Sequence, residues 1–218
     1  MLGAVRSWPR RIRDSIEREG FAPFIIRALL SPCYGEVGLR AQQYSEAELG
    51  GASRRDDVVV APSDDTSEIT RSFPGLDRQK VAHRLSSGER CFVAKVCGEA
   101  AGHGWVSTTV AHIHPLALSL PLQDRELFTY GLNVRVSRRH AGAGGAIVDA
   151  VDTWAQESGL RTHLSFVTLG RRPFGKNARD HVATIRTLRL GPFRKFWVKT
   201  YGPQEEYWRG RLKELRWV

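Results

Sequence analysis

One stretch, Leu127 to Trp154, limits what this chain can fold into more than any other. It reads LFTYGLNVRVSRRHAGAGGAIVDAVDTW. Leu127 to Val136 is apolar, aromatic and β-branched, the composition of a strand. A basic turn follows, Ser137-Arg138-Arg139-His140, and then Gly142, Gly144 and Gly145. Beyond them Ile147, Val148, Val151, Trp154 and Ala155 recur at helical spacing. The order is strand, glycine-rich basic turn, amphipathic helix. The first N–H groups of a helix have no partner inside it. Glycines let that end approach a ligand without a Cβ in the way. Such an end seats a phosphate or pyrophosphate, and Arg138 and Arg139 add charge beside it. The alternative is a glycine-rich turn with no ligand.

The spacing excludes two familiar phosphate sites. It is not GxxxxGK[ST], and from Gly142 the order is G-x-G-G rather than GxGxxG. It resembles the acyl-CoA motif of the GCN5-related N-acetyltransferases, [RQ]-x-x-G-x-[GA] between a strand and a helix. Here the motif is complete as Arg139-His140-Ala141-Gly142-Ala143-Gly144.

A chain of 218 residues suits one domain with an extension, and a hydrophobic content of 41% is enough for a core. Cys33, Cys91 and Cys97 form no CxxC pair, which argues for a reducing compartment. Cys91 and Cys97 have one parity on a predicted strand and should share a face. The longest apolar run, Phe21 to Leu30, contains Pro23 and Arg27 and is too short to span a membrane. No signal peptide is evident, so the expectation is a soluble, cytoplasmic protein.

Charge is unevenly placed. Residues 1–160 carry 19 Lys+Arg and 19 Asp+Glu, whereas residues 161–218 carry 14 against 4, a net of +10. A local excess of this kind points to an anionic partner, or to a solvated basic face.

Residues 1–30 read as two amphipathic helices divided at Gly20 and Pro23, and Ser45 to Asp57 as a linker. The division expected is a helical extension with linker over 1–53 and a main domain over 54–218. Val37–Tyr44 and Val58–Pro62 read as strands. A helix over Ser63–Arg71 is capped by Ser63 or Asp64, and a second runs from Asp77 to Ser86. Cys91–Val96 and Ala100–Thr108 form a hairpin, and residues 110–125 a loop. Leu160–Leu169 is a strand, Arg179–Leu190 a helix with Val182, Ile185 and Leu188 on one side, and Phe193–Tyr201 a strand. Tyr207–Val218 ends the chain as strand or helix.

This order resembles the acetyltransferase fold from about Val58 to Tyr201: α/β, a mixed sheet with helices on both faces. The resemblance implies that the central strand and the next one splay apart around acyl-CoA. Backbone groups of Val134, Arg135 and Val136 would hold the pantetheine arm. Arg139, His140, Ala141, Gly142, Ala143, Gly144 and Gly145 would hold the pyrophosphate. The donor would be acetyl-CoA or another acyl-CoA, the acceptor an amine of a small molecule or peptide, with no metal required. The base is expected at Glu126, with Asp124 beside it. The family's N-x-x-A-x-x-x-Y-x-x-x-G-F pattern reads here as Asp180, Ala183, Thr187, Gly191, then Pro192 and Phe193. Its tyrosine is Thr187, so the leaving-group acid falls to water or Tyr130. Tyr130 shares a parity with Phe128 and Leu132, and core packing is its other role. His112 and His114 have metal-ligand spacing without a third ligand.

Two alternatives remain. Some relatives take an aminoacyl group from aminoacyl-tRNA, and Arg171, Arg172 and Lys176, with Arg194, Lys195 and Lys199, suit a tRNA backbone. A non-catalytic nucleic-acid or membrane-surface binder on the same fold is the other.

Overall fold

A computed structural model describes residues 34–44, 57–138, 141–168, 181–190 and 193–218. The expected N-terminal helices and most of the expected linker lie outside them. The chain divides into two units. One draws on residues up to Leu39, His114–Leu116 and Val167–Arg211; the other on Arg40–Ile113, Ala117–Phe166 and Leu212–Val218.

The second unit carries the stretch that dominated the sequence. Strand β1 (Tyr34–Gln43) begins in the other unit and ends here. Then come β2 (Val58–Ser63), helix α1 (Thr66–Ser72), α2 (Arg78–Ser86), β3 (Arg90–Val96) and β4 (Glu99–Ser107). They are followed by β5 (Val110–Ile113), β6 (Leu118–Pro121), β7 (Glu126–Val134), α3 (Ala143–Glu157) and β8 (Thr162–Thr168). The order across the sheet is β8-β7-β4-β3-β2. The β7–β8 pair is parallel and the other three are antiparallel, so the sheet is mixed. Strand β11 (Arg216–Trp217) joins β6 and β5 in a small second sheet.

α3 turns Ala143, Ile147, Val151 and Ala155, one residue every four, onto Phe92, Ala94, Val96, Ala101, Val106 and Leu127. Its approach is close because β4 offers no side chain there. A Cβ at Gly104 would stand 3.0 Å from Ile147 Cγ2, and one at Gly102 2.8 Å from the Asn133 carbonyl. Truncating Ile147 to alanine would leave a cavity costing about 2–5 kcal/mol. On the opposite face Phe73 and His103 pack at 4.5 Å between ring centroids.

The other unit contains β9 (His181–Leu190), β10 (Phe193–Thr200) and α4 (Glu205–Arg211), with strand order β10-β9-β1. The helix expected over Arg179–Leu190 is β9 in its described part. Ala183, Ile185 and Thr187 are buried at a strand's period of two, with Thr184 buried between them, and that run is rich in β-branched residues. The expected loop over 110–125 contains the β5–β6 hairpin. Cys91 and Cys97 do not share a face: Cys91 is buried in β3, and Cys97 is exposed in the turn after it.

Candidate active site

The site begins with a register change. Opposite β4, His103 pairs with Asn133 and Trp105 with Tyr130, so β7 holds one residue more than its partner. That is a β-bulge, and Gly131 takes a φ of +63° within it. One extra residue reverses the alternation beyond it. Tyr130 and Phe128 stack on each other, 5.9 Å between centroids. Leu132 no longer shares their face. It lies by Gly104 on the α3 side and is 51% exposed. The common parity expected of Tyr130 and Leu132 is broken there.

Parallel pairing of β7 with β8 covers Glu126↔Thr162 to Thr129↔Ser165. β7 runs on to Val134, past the last of those rungs. Beyond Thr129 it has no rung to β8 among the described residues. The strand ends sooner than its composition suggests. Arg135 N–H donates to the Ala101 carbonyl at 2.8 Å, and Val136–Arg138 is a 3-10 turn. Val136, 73% exposed, is therefore off the strand, and of the three residues expected along the arm only Val134 is on it.

β7 leads through the Val136–Arg138 turn to the start of α3. Gly142 is its N-cap, at φ +81° in the left-handed region, and no side chain among the described residues caps the helix. The first helical bond recorded there is Ala146 N–H to the Gly142 carbonyl, 3.0 Å. The N–H groups of Ala143, Gly144 and Gly145 precede it at the positive end of the macrodipole. A Cβ on Gly145 would meet nothing within 4 Å, and one on Gly144 only Val134 Cγ2 at 3.5 Å. Ala141 N–H turns back to the Arg138 carbonyl at 3.2 Å. Arg138 pairs with Glu99 at 2.6 Å, and Arg135 donates to the Ser72 carbonyl at 2.5 Å. Arg139 and His140 lie outside the described residues, as do Arg171, Arg172 and Lys176.

At the bulge, the Tyr130 hydroxyl donates to the Glu89 carboxylate. Burial, and then that hydrogen bond, push the phenol well above its ordinary pKa, so it stays protonated. The Arg84 guanidinium covers both rings of this corner, 5.0 Å from Trp105 and 5.1 Å from Tyr130. His103 lies behind it, its pKa lowered to about 4 by burial and then by Arg84, so it is neutral. Glu89 carried no signal in the sequence, because it precedes β3 and lies 41 residues from Tyr130.

Glu126 is elsewhere. It opens β7, at the end away from the glycine turn, and is 3% exposed. Its carboxylate accepts the Gln123 N–H at 2.9 Å, which makes it a cap for the turn before the strand. Asp124 belongs to the same turn. Thr187 is fully buried in β9, not on a helix. His112 on β5 and His114 belong to no group of three metal-ligating side chains among the described residues.

A second polar cluster crosses from β7 to α3. Thr129 Oγ1 is 2.7 Å from His163 Nε2, and His163 Nδ1 is 2.9 Å from Asp152 Oδ1. Tyr44 donates to the same Asp152 oxygen at 2.6 Å. Its phenol pKa is raised, first by burial and then by Asp152. The cluster joins the last β7–β8 rung to the helix behind it.

No family model matches the chain, and no curated protein does. Solved structures do. A protein of unknown function from Staphylococcus epidermidis is 15% identical, with a TM-score of 0.45 over 70% of this chain. The match spans 58% of that protein's length. A GCN5-related N-acetyltransferase from Kribbella flavida is 11% identical, with a TM-score of 0.49 over 91% of this chain and 67% of its own. An aminoglycoside N-acetyltransferase, AAC(6')-Iy, in complex with CoA is 17% identical, with a TM-score of 0.38 over 54% and 82%. The named enzymes among these neighbours are acetyltransferases.

Proposed function

We propose that the protein is an N-acyltransferase that uses acyl-CoA and an amine acceptor. One observation carries this reading: the rungs of β7 to β8 stop at Thr129 while β7 continues toward a helix start that no described side chain caps. An anion at that start would receive the N–H groups of Ala143, Gly144 and Gly145. An extended arm would lie along β7 from Gly131 to Val134, bonding main chain to main chain. The residues fit a pyrophosphate joined to a linear amide chain, because the glycines leave its space empty and β7 leaves its edge unpaired by β8.

Bound acyl-CoA supplies an acyl group activated as a thioester. The chain's own residues then have three tasks. Main-chain N–H groups at the bulge stabilise negative charge on the carbonyl oxygen. Glu89 accepts a proton from the incoming ammonium, whose ordinary pKa of about 10.4 keeps it protonated at neutral pH, and releases it to solvent. As the amide forms, Glu89 accepts the second proton that the nitrogen sheds, while Tyr130, held protonated, gives its own to the departing sulfur and recovers that second proton from Glu89 through their hydrogen bond. Glu89 takes the place expected for Glu126.

Steady-state kinetics with acetyl-CoA and a panel of amines tests the reading. Tyr130→Phe and Glu89→Gln should each lower kcat by roughly 10²–10⁴-fold, with CoA affinity little changed. Glu126→Gln should change the rate far less at equal folded fraction. Turnover with aminoacyl-tRNA, and none with any acyl-CoA, would transfer the same site to the other donor.

A further inference from the structure

The basic excess at the end of the chain has a structural counterpart on β10, which ends its sheet. Burial alternates cleanly along this strand from Lys195 to Thr200, with Lys195, Trp197 and Lys199 exposed and the residues between them turned inward. Tyr201 extends the same register, since its N–H bonds to the Val182 carbonyl at 2.9 Å. One face therefore reads Phe193, Lys195, Trp197, Lys199, Tyr201, aromatic and ammonium in turn. Phe193 is 53% exposed and Trp197 43%. Lys195 Nζ stands 5.4 Å from the Trp197 ring centroid, and Lys199 Nζ 5.3 Å from that of Tyr201. β10 has three cationic residues and no acidic one.

We propose that this face is a stacking platform for a single-stranded polynucleotide. Same-face neighbours on a strand are about 6.6–6.8 Å apart, so successive rings of this face stand about 13 Å apart, the span of about two nucleotides in an extended single strand. A ring would then stack every second unpaired base, with the ammonium groups between rings facing phosphates. A lipid surface would instead favour a continuous apolar ridge. A second copy of this face would meet its own charges. The platform lies in the other unit from the acyl-transfer site and stands independently of that proposal.

The test is fluorescence anisotropy with a labelled twelve-residue oligouridylate, using the full chain over a range of KCl concentrations. Trp197→Ala should weaken binding by about tenfold, with Trp197→Phe close to wild type, because one stacked base is lost and then restored. Lys195→Gln with Lys199→Gln should flatten the slope of log K against log salt by about 1.4, two phosphate contacts at ~0.7 each. A duplex of the same length should bind more weakly. Thermal midpoints show whether each variant is folded. If Trp197→Ala is not, the phenylalanine variant and the lysine pair decide. Three results would overturn the proposal: no binding at low salt, equal affinity for duplex, or an unchanged affinity in folded Trp197→Ala. Binding to phosphatidylglycerol vesicles that depends on Trp197, without oligouridylate binding, would assign the face to lipid instead.

Discussion

Helices α1 and α2 start on an aspartate, whereas α3 starts on a glycine. Asp65 accepts the Ser67 N–H at 2.7 Å, and Asp77 accepts those of Gln79 and Lys80 at 2.8 and 3.1 Å. Those ends are electrostatically closed by a carboxylate from the same chain. α3 has no such group at Gly142. It is also the longest of the described helices, 15 residues against 7 and 9 for the other two compared here, so its start is not too weak to merit a cap. A helix that serves only as support is stabilised by a cap worth about 1 kcal/mol. Where the cap is missing and the nearby space is clear of Cβ atoms, the vacant partner is best supplied from outside.

Three substitutions can break or sharpen this contrast, measured by thermal unfolding with and without CoA. Gly144→Glu places a carboxylate at the α3 start, as in α1 and α2. At CoA equal to 100 times its wild-type Kd it should abolish a stabilisation of about 2.7 kcal/mol. An undiminished shift would mean that CoA binds elsewhere. Asp77→Ala should cost about 1 kcal/mol of stability and leave the CoA shift intact, since α2 is already closed by its own side chain. Loss of the CoA shift there would erase the distinction between the two kinds of start. Gly145→Ala is the smallest and the most discriminating. The added methyl group meets nothing, so the ligand-free protein should gain up to about 1 kcal/mol from helix propensity. The CoA shift should nevertheless shrink, because the methyl group enters the space proposed for the ligand. A gain with an unchanged shift would leave that space to solvent.

The sequence showed the strand, turn and helix around Gly142 because glycines and a helical period are local signals. It also began α2 at Asp77, which is the residue that caps it, whereas in α1 the cap is Asp65 rather than Ser63 or Asp64. Other features were hidden for physical reasons. Val182, Ile185 and Leu188 fit one side of a helix, yet Ala183, Ile185 and Thr187 form the buried row of a strand. A core of small and polar residues does not announce its period. The four-residue strands β5 and β6 are too short to outweigh the turn residues around them. The bulge at Gly131 is a mismatch between two strands, and neither strand alone contains it. Glu89, which we propose as the base, meets Tyr130 only in the folded chain, 41 residues away, and nothing near it in the sequence signals that contact.

The short parallel pairing of β7 and β8 also makes one strand two different environments for solvent. At Phe128 and Thr129 it has rungs to both β4 and β8; beyond Thr129 the rungs to β8 stop while those to β4 go on to Val134. Deuterium uptake should therefore divide β7 near its middle, slow at Phe128 and Thr129 and faster among those amides from Gly131 to Val134 that are not bonded to β4. A ligand lying along that edge would retard only those amides, leaving the ones already bonded to β4 as they were. Uniform protection of the whole strand would instead report a general tightening of the sheet. Exchange rates along nine residues thus record where a bound chain begins and which side it occupies.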